Sequence, residues 1–487
     1  MNGIYIAAVY DFRSKQDYIY RTNRVQEIMG ASELIANAYR EAIGKHPAVS
    51  MDLDCDFALD TFAQSDAQGT VLYEGGGNLV VLFKSEDAFK AFNNHFSLWL
   101  IDNTPGLTPI CGNAEIDVGG KFRKEIGKVF ADLGRYKRLA PPLINDTVLP
   151  ITQIDRKISQ PVTWKNKKTQ ESYSAESVAK REVFQRRLKP GENSEAVLSS
   201  NFDEMTPDKG TESLLAILHA DGNGMGERVK AAIPQDMMFE DGVNRQRKLT
   251  HDINEALVKK PIDAIVEYLM QLQQKVPDGR KPFMRRIISS GDDVTIVCNA
   301  RQALEIAKVY FESLEQTNRE EDQNYSACMG IAVFHAHAPF AAVYEIAEQC
   351  CESGKKRMKK LKLTDACYID AYFCQSAITG DLETLRERTG KARTCMPYCL
   401  PDGLDKFEAI GKELSKINRG NVKALRDAAF RSQVDFEMEL MRVQSNCKEA
   451  LAIDKKCRSE EDRAKLRAML CDVCTFYDLW FGGEANG

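Results

Sequence analysis

The sequence predicts an α+β fold: two ferredoxin-like βαββαβ domains, a helical connector between them and a C-terminal helical bundle. Three observations carry this. A strand, a glycine-bearing turn and a second strand follow one another twice, at 71–83 and at 286–297. Each copy is preceded by a strand and a helical segment and followed by a helix and a strand, the split βαβ order. Beyond about Gly380 the chain turns to a helical pattern rich in Lys, Arg, Glu and Leu.

Taken in order, Ile4–Tyr10 reads as a first strand closed by Asp11, and a helical pattern runs from about Tyr20 to Ile43. Val71–Tyr73 and Leu79–Phe83 flank Gly75-Gly76-Gly77-Asn78, a hairpin tip. A helix over 86–101 and a strand over 109–118 complete the first domain, 1–120. The connector, 121–207, opens with a basic helix (Lys121, Arg123, Lys124, Lys128, Arg135, Lys137, Arg138) and continues through polar chain. Those charges form either a solvated face or a phosphate contact. The second domain, 208–378, repeats the order with a larger helical insertion. Its elements are a strand to Ala220, helical patterns over 226–232 and 247–274, the hairpin around Gly291, a helix over 301–317 and a strand over 327–335. A helix over 340–361 and the strand Cys367–Ala371 close it. Residues 379–487 form the helical bundle.

Composition bounds the function classes. A chain of 487 residues is too long for one core, so two to four domains are expected. No apolar run approaches a membrane span and no basic leader precedes the first strand, so a cytoplasmic protein without a membrane partner is expected. The net charge of −5 excludes a global nucleic-acid footprint and leaves only local basic stretches.

Chemistry concentrates at two stretches. Leu214–Ala220 is a strand that ends in Asp221-Gly222-Asn223-Gly224; Arg286–Val297 is a hairpin with Ser290-Gly291-Asp292-Asp293 at its tip. With the strand end beside the hairpin, Asp221, Asp292 and Asp293 converge, and three carboxylates repel unless a divalent cation, Mg²⁺ or Mn²⁺, sits among them. Adjacent glycines let backbone N–H groups approach phosphate oxygens. That combination suits two-metal nucleotidyl transfer, although each stretch alone is also an ordinary turn. Ser290 stands at the hairpin tip beside Gly291. A positive φ there would cost on the order of 1 kcal/mol, whereas a negative φ leaves the hydroxyl for a nucleotide. Lys355 and Lys356 are either cationic partners for a triphosphate or a solvated helix end. The first hairpin, Gly75-Gly76-Gly77-Asn78, lacks paired acids but can cradle a nucleotide with its backbone amides.

Fourteen cysteines are scattered, and most read as small buried hydrophobes in a reducing compartment. Cys471 and Cys474 have CxxC spacing with Cys395 and Cys399 upstream, but the later pair falls in a helical pattern and the spacings match no standard zinc set.

These motifs resemble the large subunit of type III CRISPR effector complexes, a two-Palm polymerase/cyclase family related to GGDEF diguanylate cyclases. Ser290-Gly291-Asp292-Asp293 is similar to the family's Gly-Gly-Asp-Asp tip with one Gly→Ser change, and Asp221-Gly222-Asn223 to its first-strand acidic motif. Gly330–Val333 and Ser353-Gly354-Lys355 resemble its later strand and lysine-bearing helix. Arg21 through Ser32 and Gly75–Asn78 resemble its degenerate first palm. The resemblance implies ATP as substrate, a cyclic oligoadenylate as product and a role in antiviral defence, with other subunits of a guide-RNA complex, or a second copy of the chain, as partners. Joining two nucleotides also needs an acceptor held in line, for which a second pocket is expected at Gly75–Asn78 and Ser32, across a cleft from Asp292; the other reading of the glycine run is a simple hairpin turn. The chain departs from the family in beginning directly at the first palm, without the HD nuclease domain, and in a connector without cysteine. Two other readings stay open: a non-catalytic nucleotide-binding scaffold and a GGDEF-type dinucleotide cyclase using GTP.

Overall fold

Residues 4–46, 48–139, 151–187, 213–275, 284–374, 380–389, 394–446 and 459–482 are described by the computed structural model. The end of the expected connector and the first residues of the expected second domain lie outside them. The chain divides into two compact units. One holds Met1–Ala196, Gly224–Lys259 and Ile287–Asp292; the other holds Val197–Asn223, Lys260–Arg286 and Asp293–Gly487.

In the first unit, strand β1 (Ile4–Arg13) is followed by helices α1 (Lys15–Tyr20) and α2 (Val25–Ile43), strand β2 (Val49–Ser50) and helix α3 (Leu59–Gln64). Then come β3 (Gly69–Gly75), β4 (Asn78–Phe83), α4 (Glu86–Asn103) and β5 (Thr108–Asp117). The sheet order is β2-β3-β4-β1-β5, with β1 antiparallel to both β4 and β5. That is the ferredoxin-like order with one added edge strand. Side chains alternate across β1, and both faces are covered. Tyr10 packs edge-on against Phe92 and Phe96 of α4. Ala7 and Val9 join the opposite core with Phe122, Val129 and Leu133 of α5 (Phe122–Leu139). A two-residue loop joins β3 to β4: Gly75 pairs with Asn78, and Gly76 and Gly77 take φ of 57° and 73°. Two consecutive positive φ angles select glycine.

The connector is not purely helical. Strands β6 (Ile154–Asp155), β7 (Gln160–Lys165) and β8 (Ser172–Ser174) form a small antiparallel sheet before α6 (Ala175–Arg187). β7 is mostly exposed, so no apolar alternation marks it in the sequence. Helix α6 packs on α2 at Gly30, where a Cβ would stand 1.8 Å from the Lys180 carbonyl oxygen. The fully buried Lys180 donates to Tyr18 O and Glu176 Oε1, both at 2.6 Å. Those partners compensate its charge.

In the second unit, β9 (Leu214–Gly222) leads into the helical insertion, α7 (Met225–Ala232), α8 (Phe239–Asn254) and α9 (Lys260–Lys275). The insertion is divided at a π-helical turn, Glu255–Lys259. α7 and α8 belong to the first unit, where Phe239 and Val243 enter the core under α5; α9 belongs to the second. Within the expected 208–378 domain, Gly224–Lys259 and Ile287–Asp292 fall in the first unit.

The chain continues through β10 (Met284–Ser290), β11 (Asp293–Asn299), α10 (Ala303–Glu321), β12 (Ala327–His335), α11 (Phe340–Lys360) and β13 (Tyr368–Phe373). The sheet order is β10-β11-β9-β12-β13-β14, where β14 is Tyr398–Cys399. Its first four strands repeat the ferredoxin-like order, and β13 adds in parallel to β12. Helix α12 (Leu382–Thr389) precedes β14. The tail is helical: α13 (Asp402–Leu414), α14 (Arg419–Arg431), α15 (Gln433–Asn446) and α16 (Glu460–Trp480). Helix α16 is started by a Ser459–Asp462 capping box, and its Trp480 indole donates to the Ala300 carbonyl at 3.0 Å. Among the described residues, no helix is long and apolar enough to cross a membrane.

Candidate functional site

The central strand β9 pairs antiparallel with β11 and β12 and carries Asp221 to the sheet edge, with Asp293 opposite on β11 and Cys328 opposite on β12. The hairpin loop is Gly291-Asp292. Gly291, at φ 70°, takes the left-handed position and so turns the chain between the strands. Carboxylate oxygens of Asp221, Asp292 and Asp293 come within 4.8 Å of one another, all three residues half-buried. Such a donor set fits a divalent cation, since hard carboxylate oxygens at this spacing share a positive charge more favourably than they face one another.

A protein cation already reaches this cluster. Lys355 of α11 donates to Asp221 Oδ2. Burial opposes the ammonium charge, yet Asp221 raises the lysine pKa above its ordinary value. Lys356, the next residue, is exposed. Helix α11 comes this close to the sheet at Gly330, where a Cβ would lie 1.9 Å from the Ala347 carbonyl oxygen.

Gly222 and Asn223 are buried. Asn223 turns inward: its side-chain amide donates to Ser326 Oγ at 3.2 Å and Ala366 O at 3.1 Å. It tethers the strand end beneath the acids. Gly224, at φ 66°, opens α7. Ser290 closes β10, and its side chain lies outside the described residues.

Sequence reasoning missed two neighbours of Asp221. His219 and Cys351 bring ligand-type atoms within 4.8 Å of one another and of Asp221. His219 shares a face of β9 with Asp221, so period-two alternation is the signal that marks it. Its Nδ1 lies 3.0 Å from Thr295 Oγ1, and burial pushes its pKa down to about 4 against the pull of Asp221. The imidazole is neutral.

In the first unit, the glycine turn has cationic company. Lys15 Nζ donates to Gly77 O at 2.9 Å and pairs with Asp11 at 2.7 Å; Lys137 reaches the other Asp11 oxygen at 2.5 Å. The Tyr39 hydroxyl lies 3.2 Å from Gly77 O. Ser32, on α2, is half-buried. The Gly291 turn shares this unit, and a Cβ on Gly291 would lie 3.9 Å from Gly76 Cα. Among the described residues, Cys395, Cys399, Cys471 and Cys474 form no close ligand group. Burial raises the pKa values of Cys395 and Cys474 to about 12.

Comparison with known proteins adds an independent line. Residues 214–364 match the second palm domain of the Cas10/Cmr2 family. No curated protein matches the sequence. Among solved structures, a Csm1–Csm4 cassette in complex with cA4 is similar at a TM-score of 0.54 and 13% identity, covering 98% of this chain and 70% of that one. The cassette in complex with pppApA gives 0.53 at 12% identity, and that with cA3 gives 0.51 at 10%. Both cover 98% of this chain and 70% of the other. At such identities the likeness is one of fold. Residues 214–364 are thus similar to a Cas10/Cmr2 second palm domain, and nearly the whole chain shares the fold of the Csm1–Csm4 cassette structures.

Proposed function

We propose that the protein is a nucleotidyltransferase that joins ATP into a cyclic oligoadenylate with Mg²⁺ or Mn²⁺ at Asp221, Asp292 and Asp293. The convergence of these three carboxylates at one edge of a palm-type sheet carries the reading. In the reaction, the 3′-oxygen of one nucleotide bonds to the α-phosphorus of another. The bond from that phosphorus to the bridging oxygen of the departing pyrophosphate breaks, and the hydroxyl proton passes to solvent. A divalent ion held by the three carboxylates would supply Lewis acidity and alignment. Lys355 balances charge on Asp221 and would meet the triphosphate. Asn223 and Gly330 hold the strand end and helix that carry these groups.

A second nucleotide must present its 3′-hydroxyl in line. The Gly76 turn lies against the Gly291 turn within one unit, which supports Gly75-Gly76-Gly77-Asn78 as the cradle for that nucleotide, with Ser32 nearby on α2. Relatives of the same fold were crystallised as cassettes with a second subunit and with pppApA, cA3 or cA4. These complexes support adenine nucleotides as ligands and an effector complex as the setting.

One observation favours the rival reading of a nucleotide-binding scaffold: the Lys355–Asp221 pair neutralises one carboxylate without any metal. Incubation of the purified protein with each nucleoside triphosphate and Mg²⁺ or Mn²⁺, followed by mass spectrometry, separates the readings. Linked adenylates support the enzyme, linked guanylates the GGDEF-type alternative, and unchanged substrates the scaffold.

A further inference from the structure

His219 and Asp221 alternate along β9, and both side chains meet α11, His219 through the Tyr344 ring and Asp221 through Lys355. Gly330 of β12 pairs with His219, and a Cβ on it would stand 2.6 Å from the Cys351 nitrogen. The missing side chain lets α11 lie against the strands and sets Cys351 beside His219. An imidazole nitrogen, a carboxylate oxygen and a sulfur thus come within 4.8 Å of one another. His219 is 5% exposed and Cys351 1%.

The chemistry of this group differs from that of the three carboxylates. An all-oxygen set suits Mg²⁺ or Mn²⁺, whereas imidazole and thiolate beside one carboxylate suit Zn²⁺. A tetrahedral zinc ion, with bonds of about 2.0–2.3 Å, holds its ligand atoms roughly 3.5 Å apart, so small side-chain rotations close this group around it. Thiolate and carboxylate together cancel its two charges, and the fourth position is left for water. The surroundings are built for such an ion. Thr295 Oγ1 lies 3.0 Å from His219 Nδ1, the kind of outer hydrogen bond that orients an imidazole ligating through its other nitrogen. The Tyr344 ring stands edge-on to His219 at 5.5 Å and limits access of water. Cys351 Sγ donates to Cys328 O at 3.1 Å. When a metal binds, the S–H bond breaks, its proton leaves to solvent and the sulfur bonds the ion.

We propose that His219, Asp221 and Cys351 form a Zn²⁺ site that shares only Asp221 with the oxygen set. Zn²⁺ there takes the Asp221 carboxylate and so lowers the affinity of the oxygen set for Mn²⁺. The zinc site itself stands apart from the proposed catalysis; its competition with Mn²⁺ rests on the proposed metal site.

The test is titration of the metal-free, reduced, full-length protein with Co²⁺, a spectroscopic stand-in for Zn²⁺. One equivalent is expected to give a thiolate-to-cobalt charge-transfer band that Zn²⁺ bleaches. Cys351→Ala should abolish the band. His219→Gln should weaken cobalt binding by at least tenfold and Thr295→Val by about tenfold, while the Asp292→Ala, Asp293→Ala variant keeps the band. If Cys351→Ala does not fold, His219→Gln carries the test. Absence of the band from the wild type, or its survival unchanged in a folded Cys351→Ala or His219→Gln variant, overturns the inference. Mn²⁺ binding, followed by electron paramagnetic resonance, reads the competition. Zn²⁺ should weaken it about tenfold in the wild type and leave it unchanged in Cys351→Ala; equal Mn²⁺ affinity with and without Zn²⁺ in the wild type overturns the shared use of Asp221. A wild type that shows the cobalt band but binds no Mn²⁺ instead overturns the metal site of the proposed function.

Discussion

The Lys355 ammonium hydrogen-bonds the Asp221 carboxylate and so joins α11 to the end of β9 at the acidic edge of the second palm. A cation of the protein and a divalent ion would compete for that carboxylate. Lys355→Met should therefore raise Mn²⁺ affinity by about tenfold, because the nearest competing charge is gone. Titration followed by electron paramagnetic resonance reads this directly. Weaker Mn²⁺ binding would mean that Lys355 positions Asp221 rather than competes for its charge.

Gly291 holds the left-handed position of the acidic hairpin at φ 70°. Gly291→Ala should cost about 1 kcal/mol in strain at its positive φ and set a methyl in van der Waals contact with Gly76, whose Cα lies 3.9 Å from the added Cβ. A melting temperature that drops by a few degrees together with reduced nucleotide binding is the expected outcome. Unchanged binding would remove the Gly76 turn from the site.

Asp472 of α16 is buried and accepts hydrogen bonds from the Tyr398 hydroxyl at 2.7 Å and the Cys395 N–H at 2.8 Å. Burial raises its pKa from 3.8 to about 7. Because the folded state holds this proton more tightly than the unfolded one, stability contributed here is present below the ordinary carboxylate pKa. It is lost as pH rises from about 4 to about 7. That range is worth up to about 4 kcal/mol. Asp472→Asn keeps an oxygen acceptor without the charge, so the variant should be the more stable one at pH 8, with the gap closing towards pH 4. Denaturant melts across that range check the slope. A gap that widens on acidification would contradict the assignment.

The order of strands and helices was legible because each central strand is a dense apolar run and each hairpin is marked by glycine. The acids at the sheet edge were legible for the same reason: Asp221 stops an apolar strand, and Asp292-Asp293 follows a turn glycine. Other features depend on approach in space. Lys137 and Asp11 are 126 residues apart, and nothing local in the sequence joins them. His219 and Cys351 read as core residues until α11 is laid against β9. The sheet at 154–174 escaped because its exposed strand β7 has no apolar face to reveal it. The division of the insertion at Glu255–Lys259 escaped because both halves are helical, and the core that each enters is set by tertiary packing.

In the proposed reaction, Asp221, Asp292 and Asp293 together hold the ion for nucleotidyl transfer. Incubation with ATP and Mn²⁺ of the wild type and of an Asp292→Ala, Asp293→Ala variant, with products identified by mass spectrometry, tests it most directly. Linked adenylates and pyrophosphate are expected from the wild type, and a rate lower by roughly a hundredfold or more from the double variant. The variant should melt no lower than the wild type, because removing like charges relieves repulsion. Equal product from both proteins, or none from a folded, metal-binding wild type, would contradict it.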